Sequence, residues 1–336
     1  MGAAILLNNF SMRLILMGTG AFAVPAFQAL VASTHSVVAL VTRPVPAPRG
    51  RHKGPINPVR DAFGSLDVPW LDPADINDPA VQQQLAQFQP DLFVVCDYGQ
   101  ILSRETLRIA RLGGVNLHGS ILPRYRGAAP VNWAIWNGDA ESGVTVIHMT
   151  PKLDGGPCLA VARTPIGLED DAPSLEQRLS RLGVEPVCTA IELLTHWDGQ
   201  SPLGSLQDPG QATRAPRLKK TDGAVDWTQS AERIFNQSRA LRPWPGTYTH
   251  WLRSANPLLL LLEKVSVETE PLMACQARPG EVVRVTQQTI TVATGAGGLN
   301  IEQLKPAGKR VLATAEFLRG YPVRPGDQFG ELDAAP

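Results

Sequence analysis

Two polar residues two positions apart, Asn116 and His118, lie in the stretch GVNLHGSILP, and an aspartate, Asp154, follows in the Gly-rich PKLDGGP. Residues two apart on a strand point to the same side, so this spacing predicts an amide and an imidazole on one face as the strand ends. Asp154 comes after the next apolar run, SGVTVIHMT, where neighbouring strand ends would bring its carboxylate to the imidazole. Such a set suits attack of an amine on a carbonyl carbon. The Asn116 amide and a protonated His118 would stabilise the developing oxyanion, while Asp154 would favour the charged imidazole, orient it and relay the amine's proton through water. No nucleophilic Ser or Cys is required, and Ser120, without a base partner, is better placed to contact a ligand. On spacing alone, a hydrogen-bonded core pair is the lesser alternative for Asn-x-His.

The elements that must carry these residues alternate. Apolar runs at 13–18, 36–42, 91–102, 113–122 and 142–150 are separated by helix-like stretches from Val24, near 57–64, near 103–110 and over Pro130 to Asn137. This order indicates a largely parallel sheet with helices on both faces and functional loops at the carboxyl ends of its strands. A helix rich in Leu and Glu, about 174–195, closes the region. The segment 198–216 is too rich in Pro, Gly and Ser for a regular element and reads as a linker. Beyond it, one helix at 230–241 is followed by short runs between Gly and Pro turns, the pattern of a small antiparallel barrel. Within these, PLLLLL is too short to cross a bilayer and reads as a buried strand.

The first run, LILMGTGAFAVPAF, breaks at Gly18-Thr19-Gly20 and resumes with helical spacing. Gly18-x-Gly20-x-x-Ala23 fits a dinucleotide fingerprint, which also calls for an acid about 20 residues on to hold the ribose. The second strand runs instead into Arg43. Two readings are open: an NADP site using Arg43 in an oxidoreductase, or a tight strand-to-helix turn with no nucleotide.

The 336 residues allow two domains, and 43% hydrophobic residues suffice for a core in each. The N-terminal stretch has an apolar run of five residues and no positive charge before Arg13, which supports neither a signal peptide nor a span; a cytoplasmic chain is expected. Residues before Met12 are expected to be a disordered extension or an upstream start. The four cysteines lack CxxC spacing and His partners, so buried free thiols are expected and no metal. Lys and Arg balance Asp and Glu at 31 each, yet residues 211–336 hold 16 basic against 12 acidic side chains. Residues 42–60 carry Arg43, Arg49, Arg51, Lys53 and Arg60 with no acid, among prolines and glycines. Such a run is either a solvated loop or a clamp for phosphates.

The stretch NLHGSILPRYRGAAPVNWAI followed by GVTVIHMTPKLDGG resembles the signature of the folate-dependent formyltransferases, and the resemblance runs from about Met12 to Gln328. It implies that Asn116, His118 and Asp154 are the catalytic set. It further implies that Ser120, Ile121, Leu122 and Pro123 bind a tetrahydrofolate, with Tyr98, Gly99 and Gln100 lining the pterin site mostly through backbone groups. Asp97, where the family usually has a small residue, Ile121, where Leu is commoner, and Pro157, often an acid, depart from the pattern. The same catalytic half formylates glycinamide ribonucleotide or sugar nucleotides, or hydrolyses formyl-tetrahydrofolate. The charge of the 42–60 loop and of the C-terminal part favours RNA instead, and DWTQSAERIFNQSRALRPWPGTY with GGLNIEQLKPAGKRVLATAEFLRG, including Lys309-Arg310, resembles the C-terminal domain of the members that act on RNA.

The expected reaction is transfer of a formyl group from 10-formyltetrahydrofolate to the amino group of initiator methionyl-tRNA, giving N-formylmethionyl-tRNA for translation initiation. Arg43, Arg49, Arg51, Lys53, Lys309 and Arg310 are the expected tRNA contacts, and a monomer is expected to suffice. The implied fold is α/β: a Rossmann-like, mostly parallel sheet in a catalytic domain at 12–197, a linker at 198–216, and a small OB-like barrel at 217–336. The oxidoreductase alternative would leave Asn116, His118 and Asp154 idle, and an RNA-binding module without catalysis would require them to be inert.

Overall fold

A computed structural model describes residues 11–45, 56–253, 256–270 and 277–331; Arg49, Arg51, Lys53, Cys275 and residues 1–10 lie outside these. The chain forms two compact units. One takes the described residues up to Pro130 with Glu141–Pro165 and Leu175–Pro216, the other Val131–Ala140, Ile166–Ser174 and those from Arg217 on.

In chain order the first part contains β1 (Arg13–Gly18), α1 (Val24–Val31), β2 (Ser36–Val41), α2 (Pro58–Phe63), β3 (Trp70–Leu71), α3 (Pro79–Gln87) and β4 (Leu92–Cys96). It continues with α4 (Arg104–Leu107), β5 (Gly114–His118), β6 (Arg126–Gly127), α5 (Pro130–Trp136), β7 (Glu141–His148), β8 (Cys158–Pro165), α6 (Ala172–Leu182), α7 (Val184–Thr195) and β9 (Arg214–Ala215). The main sheet has the order β3-β2-β1-β4-β5-β7-β8. Its first five strands run parallel, and every residue of β4 is buried, as an unbroken apolar run covered on both faces should be. The order reverses between β1 and β4, which places the turn after β1 and the loop after β4 at the crevice where open α/β sheets bind ligands.

The last two strands depart from the expected geometry. β7 pairs with β5, and β8 with β7, antiparallel. Val115 lies opposite His148 and His118 opposite Thr145, so β7 ends beside the beginning of β5, not beside its end. Asp154 therefore does not arrive by adjacent strand ends. The loop after β7 folds back instead, and Gly156 packs so closely on the His148 carbonyl that a Cβ would overlap it.

The helix expected over 174–195 is two helices. The break falls at Gly183, where a Cβ would stand 2.7 Å from Leu117 Cδ2, so glycine lets the junction lie on β5 without displacing that side chain. Of the described cysteines, Cys96 is buried as expected, whereas Cys158 is half-buried and Cys188 exposed. On α7 the buried stripe is Val187, Ala190, Ile191 and Leu194, and Cys188 falls on the opposite side of the helix.

The second unit holds α8 (Ala231–Ala240), β10 (Tyr248–Trp251), β11 (Leu258–Val267), β12 (Val282–Val285), β13 (Ile290–Ala293), β14 (Gly298–Pro306), β15 (Leu312–Ala313), α9 (Thr314–Gly320) and β16 (Phe329–Gly330). Its antiparallel sheet runs β12-β13-β14-β11-β10-β16, with β15 on β14, and wraps a core that includes Trp227, Trp251, Phe317 and Phe329. The leucine run forms the start of β11, of which Leu260 and Leu262 are buried and their neighbours only partly so. Ser230 caps α8 by accepting from the Arg233 N–H. Most of α5 belongs here: Asn132 Nδ2 donates to the Ala240 carbonyl at 2.7 Å, and Arg233 Nη1 donates to the Trp136 carbonyl at 2.6 Å.

Candidate active site

Asn116 and His118 occupy alternate positions of β5, and Asp154 reaches both. Asn116 Nδ2 lies 3.5 Å from Asp154 Oδ1, a long contact, and His118 Nδ1 lies 3.8 Å from Asp154 Oδ2. The imidazole is 6% exposed and the carboxylate 9%, so the two face each other with little intervening water. His118 Nε2 is 2.9 Å from the Tyr125 carbonyl oxygen. A carbonyl only accepts, so that nitrogen carries the hydrogen and the neutral ring presents an acceptor at Nδ1. A proton taken up at Nδ1 then sits opposite the carboxylate.

The carboxylate is held from behind. The Gly127 N–H donates to Asp154 Oδ2 at 2.8 Å. Gly127 has φ 129° and a Cβ there would stand 2.5 Å from the Ala215 carbonyl oxygen, so no other residue presents its N–H in this way. Asp154 itself has φ 48°, a left-handed conformation that costs energy in a non-glycine residue and persists where its surroundings enforce it.

The turn after β5 is pinned from β7. Thr145, fully buried, donates to the Ser120 carbonyl at 2.7 Å and accepts from the Leu122 N–H at 3.1 Å. Ser120 Oγ donates to the Arg124 carbonyl at 2.7 Å. Ser120–Pro123 thus form a closed turn beside His118, with Leu122 buried and Ile121 and Pro123 half-buried. Nothing in the sequence marked Thr145, because one threonine in an apolar strand has no local pattern.

At the end of β4, Tyr98 turns into the core beside Ile15, Met17, Ile76 and Leu102. Gln100 bridges the 73–76 loop, accepting from the Ile76 N–H at 2.8 Å and donating to the Pro73 carbonyl at 3.0 Å. Gly99 is exposed, with φ 81°. Tyr98 and Gln100 have thus committed their side chains inside the protein, and what this loop offers a ligand is mainly backbone. Arg43, just past β2, lies over Gly99, its Cδ 3.2 Å from where a Cβ would be.

The family model described as Formyl transferase matches residues 12–191, and that described as Formyl transferase, C-terminal domain, matches residues 217–322. The chain belongs to the formyl transferase family. A methionyl-tRNA formyltransferase of Rhodopirellula baltica is 43% identical over 326 residues, covering 95% of this chain and 97% of that protein. One from Geobacter sulfurreducens is 39% identical over 321 residues, with the same coverage. Among solved structures, an N-formyltransferase of Helicobacter canadensis in complex with folinic acid and dTDP-3-aminofucose aligns with a TM-score of 0.63 at 15% identity, over 86% of this chain and 98% of that one. HypX of Aquifex aeolicus with tetrahydrofolic acid aligns at 0.59 and 19% identity over 96% of this chain, which spans about half, 51%, of HypX. At these identities the structural likeness is one of fold.

In this formyl transferase the Gly18–Gly20 turn is closed by Asp97. The Thr19 N–H donates to the Asp97 carbonyl at 3.0 Å, and a Cβ on Gly20 would overlap the Asp97 carboxylate. Gly20 is therefore glycine to admit an aspartate, at the position where a dinucleotide phosphate would approach the helix. Asp97 can be reached by solvent but is enclosed by protein on most sides, and this burial, with Glu176 nearby, pushes its carboxyl up to about 6. Burial likewise raises the Cys96 thiol beneath it and the Tyr98 phenol.

The expected RNA contacts are spread along the formyl transferase chain. Arg43 stands at the sheet's crevice end. Lys309 and Arg310 are exposed in the second unit, where Arg310 pairs with Glu316 at 3.0 Å. Among the described residues no cluster of three His, Cys, Asp or Glu could hold a metal, and no helix is long and apolar enough to cross a membrane.

Proposed function

We propose that Asn116, His118 and Asp154 catalyse transfer of the formyl group of 10-formyltetrahydrofolate to the α-amino group of initiator methionyl-tRNA. The products are tetrahydrofolate and N-formylmethionyl-tRNA, the form used to begin translation. The acceptor amine attacks the formyl carbon, and the bond to N10 of the donor breaks. The Asn116 amide and a proton on His118 Nδ1 stabilise the oxygen that gains charge, because His118 Nε2 is already committed to the Tyr125 carbonyl. Asp154, 3.8 Å from Nδ1, faces that proton, takes up the amine's proton through water and returns it to N10 as the bond to the formyl carbon breaks, so that N10 leaves protonated. Supporting this reading is one observation above others: a single carboxylate meets both side chains of the Asn-x-His pair in a chain whose two halves each match a formyl transferase.

Ser120–Pro123 and the backbone of Tyr98–Gln100 are the groups we assign to the folate. Arg43, Arg49, Arg51, Lys53, Lys309 and Arg310 are those we assign to the tRNA, within a catalytic region at 12–197, a connecting segment at 198–216 and an RNA-binding region from 217. The substrates put the reaction in the cytoplasm, and one copy of the chain carries every group invoked. The deciding experiment supplies formyl-tetrahydrofolate with charged initiator tRNA, a sugar nucleotide and glycinamide ribonucleotide as competing acceptors. Formyl on the tRNA is expected; formyl mainly on either small acceptor would overturn the assignment.

A further inference from the structure

The segment 198–216, expected to be a linker, is a strap across the loops that carry the proposed catalytic set. Ser205 and Cys158 exchange both backbone hydrogen bonds at 2.8 Å. Thr213 accepts from the Tyr125 N–H through its hydroxyl at 2.8 Å and from the Arg126 N–H through its carbonyl at 2.9 Å, and β9 pairs parallel with β6. Between these two fastenings stands Gln207. Its Nε2 donates to the Asp154 carbonyl at 2.8 Å and to the Gly156 carbonyl at 2.7 Å. Its Oε1 accepts from Arg126 Nε at 3.1 Å and Nη2 at 2.6 Å.

We propose that Gln207 is a positioning residue for Asp154. All four polar positions of its amide are used: both hydrogens go to the backbone of the Asp154 loop and both acceptor sites to the Arg126 guanidinium. Arg126 immediately precedes Gly127, whose N–H holds the Asp154 carboxylate. One amide therefore fixes the backbone of Asp154 from one side and the chain that grips its carboxylate from the other. Asp154 keeps a left-handed backbone at φ 48°, uncommon outside glycine although aspartate tolerates it better than most residues, and these bonds hold it there. A side chain with only donors or only acceptors could serve one half of this arrangement but not both.

The inference rests on the reading of Asp154 as catalytic, and the test separates the two. Gln207→Ala and Gln207→Met are assayed with both substrates saturating and then with each varied, alone and combined with Asp154→Asn. Methionine keeps the length of the side chain and removes all four hydrogen bonds, so it carries the test should the alanine variant fold poorly. Each Gln207 variant is expected to lower kcat on the order of tenfold to a hundredfold, as small misplacements of a reacting group do, while KM for folate and for tRNA stays within about twofold. In the Asp154→Asn background neither is expected to lower kcat further, because the group being positioned is already disabled. Unchanged kcat in the single variants, losses that multiply with Asp154→Asn, or a rise in tRNA KM as the main effect would each overturn the proposal. Normal turnover of Asp154→Asn alone would instead remove the catalytic reading of Asp154, and the positioning role with it.

Discussion

Nδ1 of His118 stands 3.8 Å from Oδ2 of Asp154, beyond hydrogen-bonding distance, with the carboxylate facing the ring nitrogen. Nε2 is already engaged with the Tyr125 carbonyl, so Nδ1 is the ring position open to proton exchange. Asp154→Asn and His118→Ala are each expected to lower kcat by about 10²-fold or more, the usual loss for a general acid–base group or an oxyanion donor. Donor binding should survive, as measured by folate fluorescence quenching. Near-normal turnover in either variant would remove the assignment.

Thr145 ties the Ser120–Pro123 turn to β7 with two hydrogen bonds and is fully buried. Thr145→Val keeps the shape but leaves the Leu122 N–H and the Ser120 carbonyl without this partner. A loss of about 1–3 kcal/mol in stability is expected, with a higher KM for the formyl donor than for the tRNA. Urea denaturation and initial-rate kinetics measure both; an unchanged donor KM would mean that the turn does not shape the folate site.

Asp97 titrates near 6 in the folded chain against an ordinary value of 3.8, because burial and Glu176 disfavour its charge. Between these values the folded state holds a proton that the unfolded state has released, so stability falls as pH rises through this window. The penalty is complete above about pH 6 and absent below about pH 4. Asp97→Asn, which removes the charge and keeps the shape beside Gly20, is therefore expected to raise Tm at pH 8 and to lose that advantage as pH falls toward 4. Equal Tm differences at both ends of the range would show that the charge is not the cause.

Arg43 lies at the crevice end of the sheet, and Arg51 belongs to the same basic stretch of sequence. Reversing both charges is expected to raise KM for the tRNA and flatten its dependence on salt, since fewer counterions are then displaced. The KM for folate should not change. An equal effect on both substrates would mark the loop as structural.

Much of the site could be read from residue order. Asn116-x-His118 in a strand dictates a shared face, the Gly-rich flank of Asp154 permits a loop that can turn sharply, and Gly18–Gly20 marks a strand-to-helix turn. Those features depend on local geometry, which periodicity and glycine placement encode. Strand direction does not: an apolar run reads the same parallel or antiparallel, so the reversal of β7 and β8, and the folded-back path of Asp154, emerged only in three dimensions. The same holds for Gly183, whose reason is Leu117, and for Cys188, whose exposure follows from which side of α7 meets the core.

The segment 198–216 shows the limit most sharply. Its composition excludes long regular elements, and the structure contains only a short 3-10 turn and a two-residue strand there. What composition could not reveal is that Gln207 and Thr213 meet loops 50 or more residues away in sequence. Sequence alone determined the kind of element each group stands on, because residue type and short-range spacing decide it, and its resemblance to a family singled out which chemistry those groups carry. Only the tertiary structure decided how Asp154 is held, because its restraints are long-range hydrogen bonds between segments that share no local pattern.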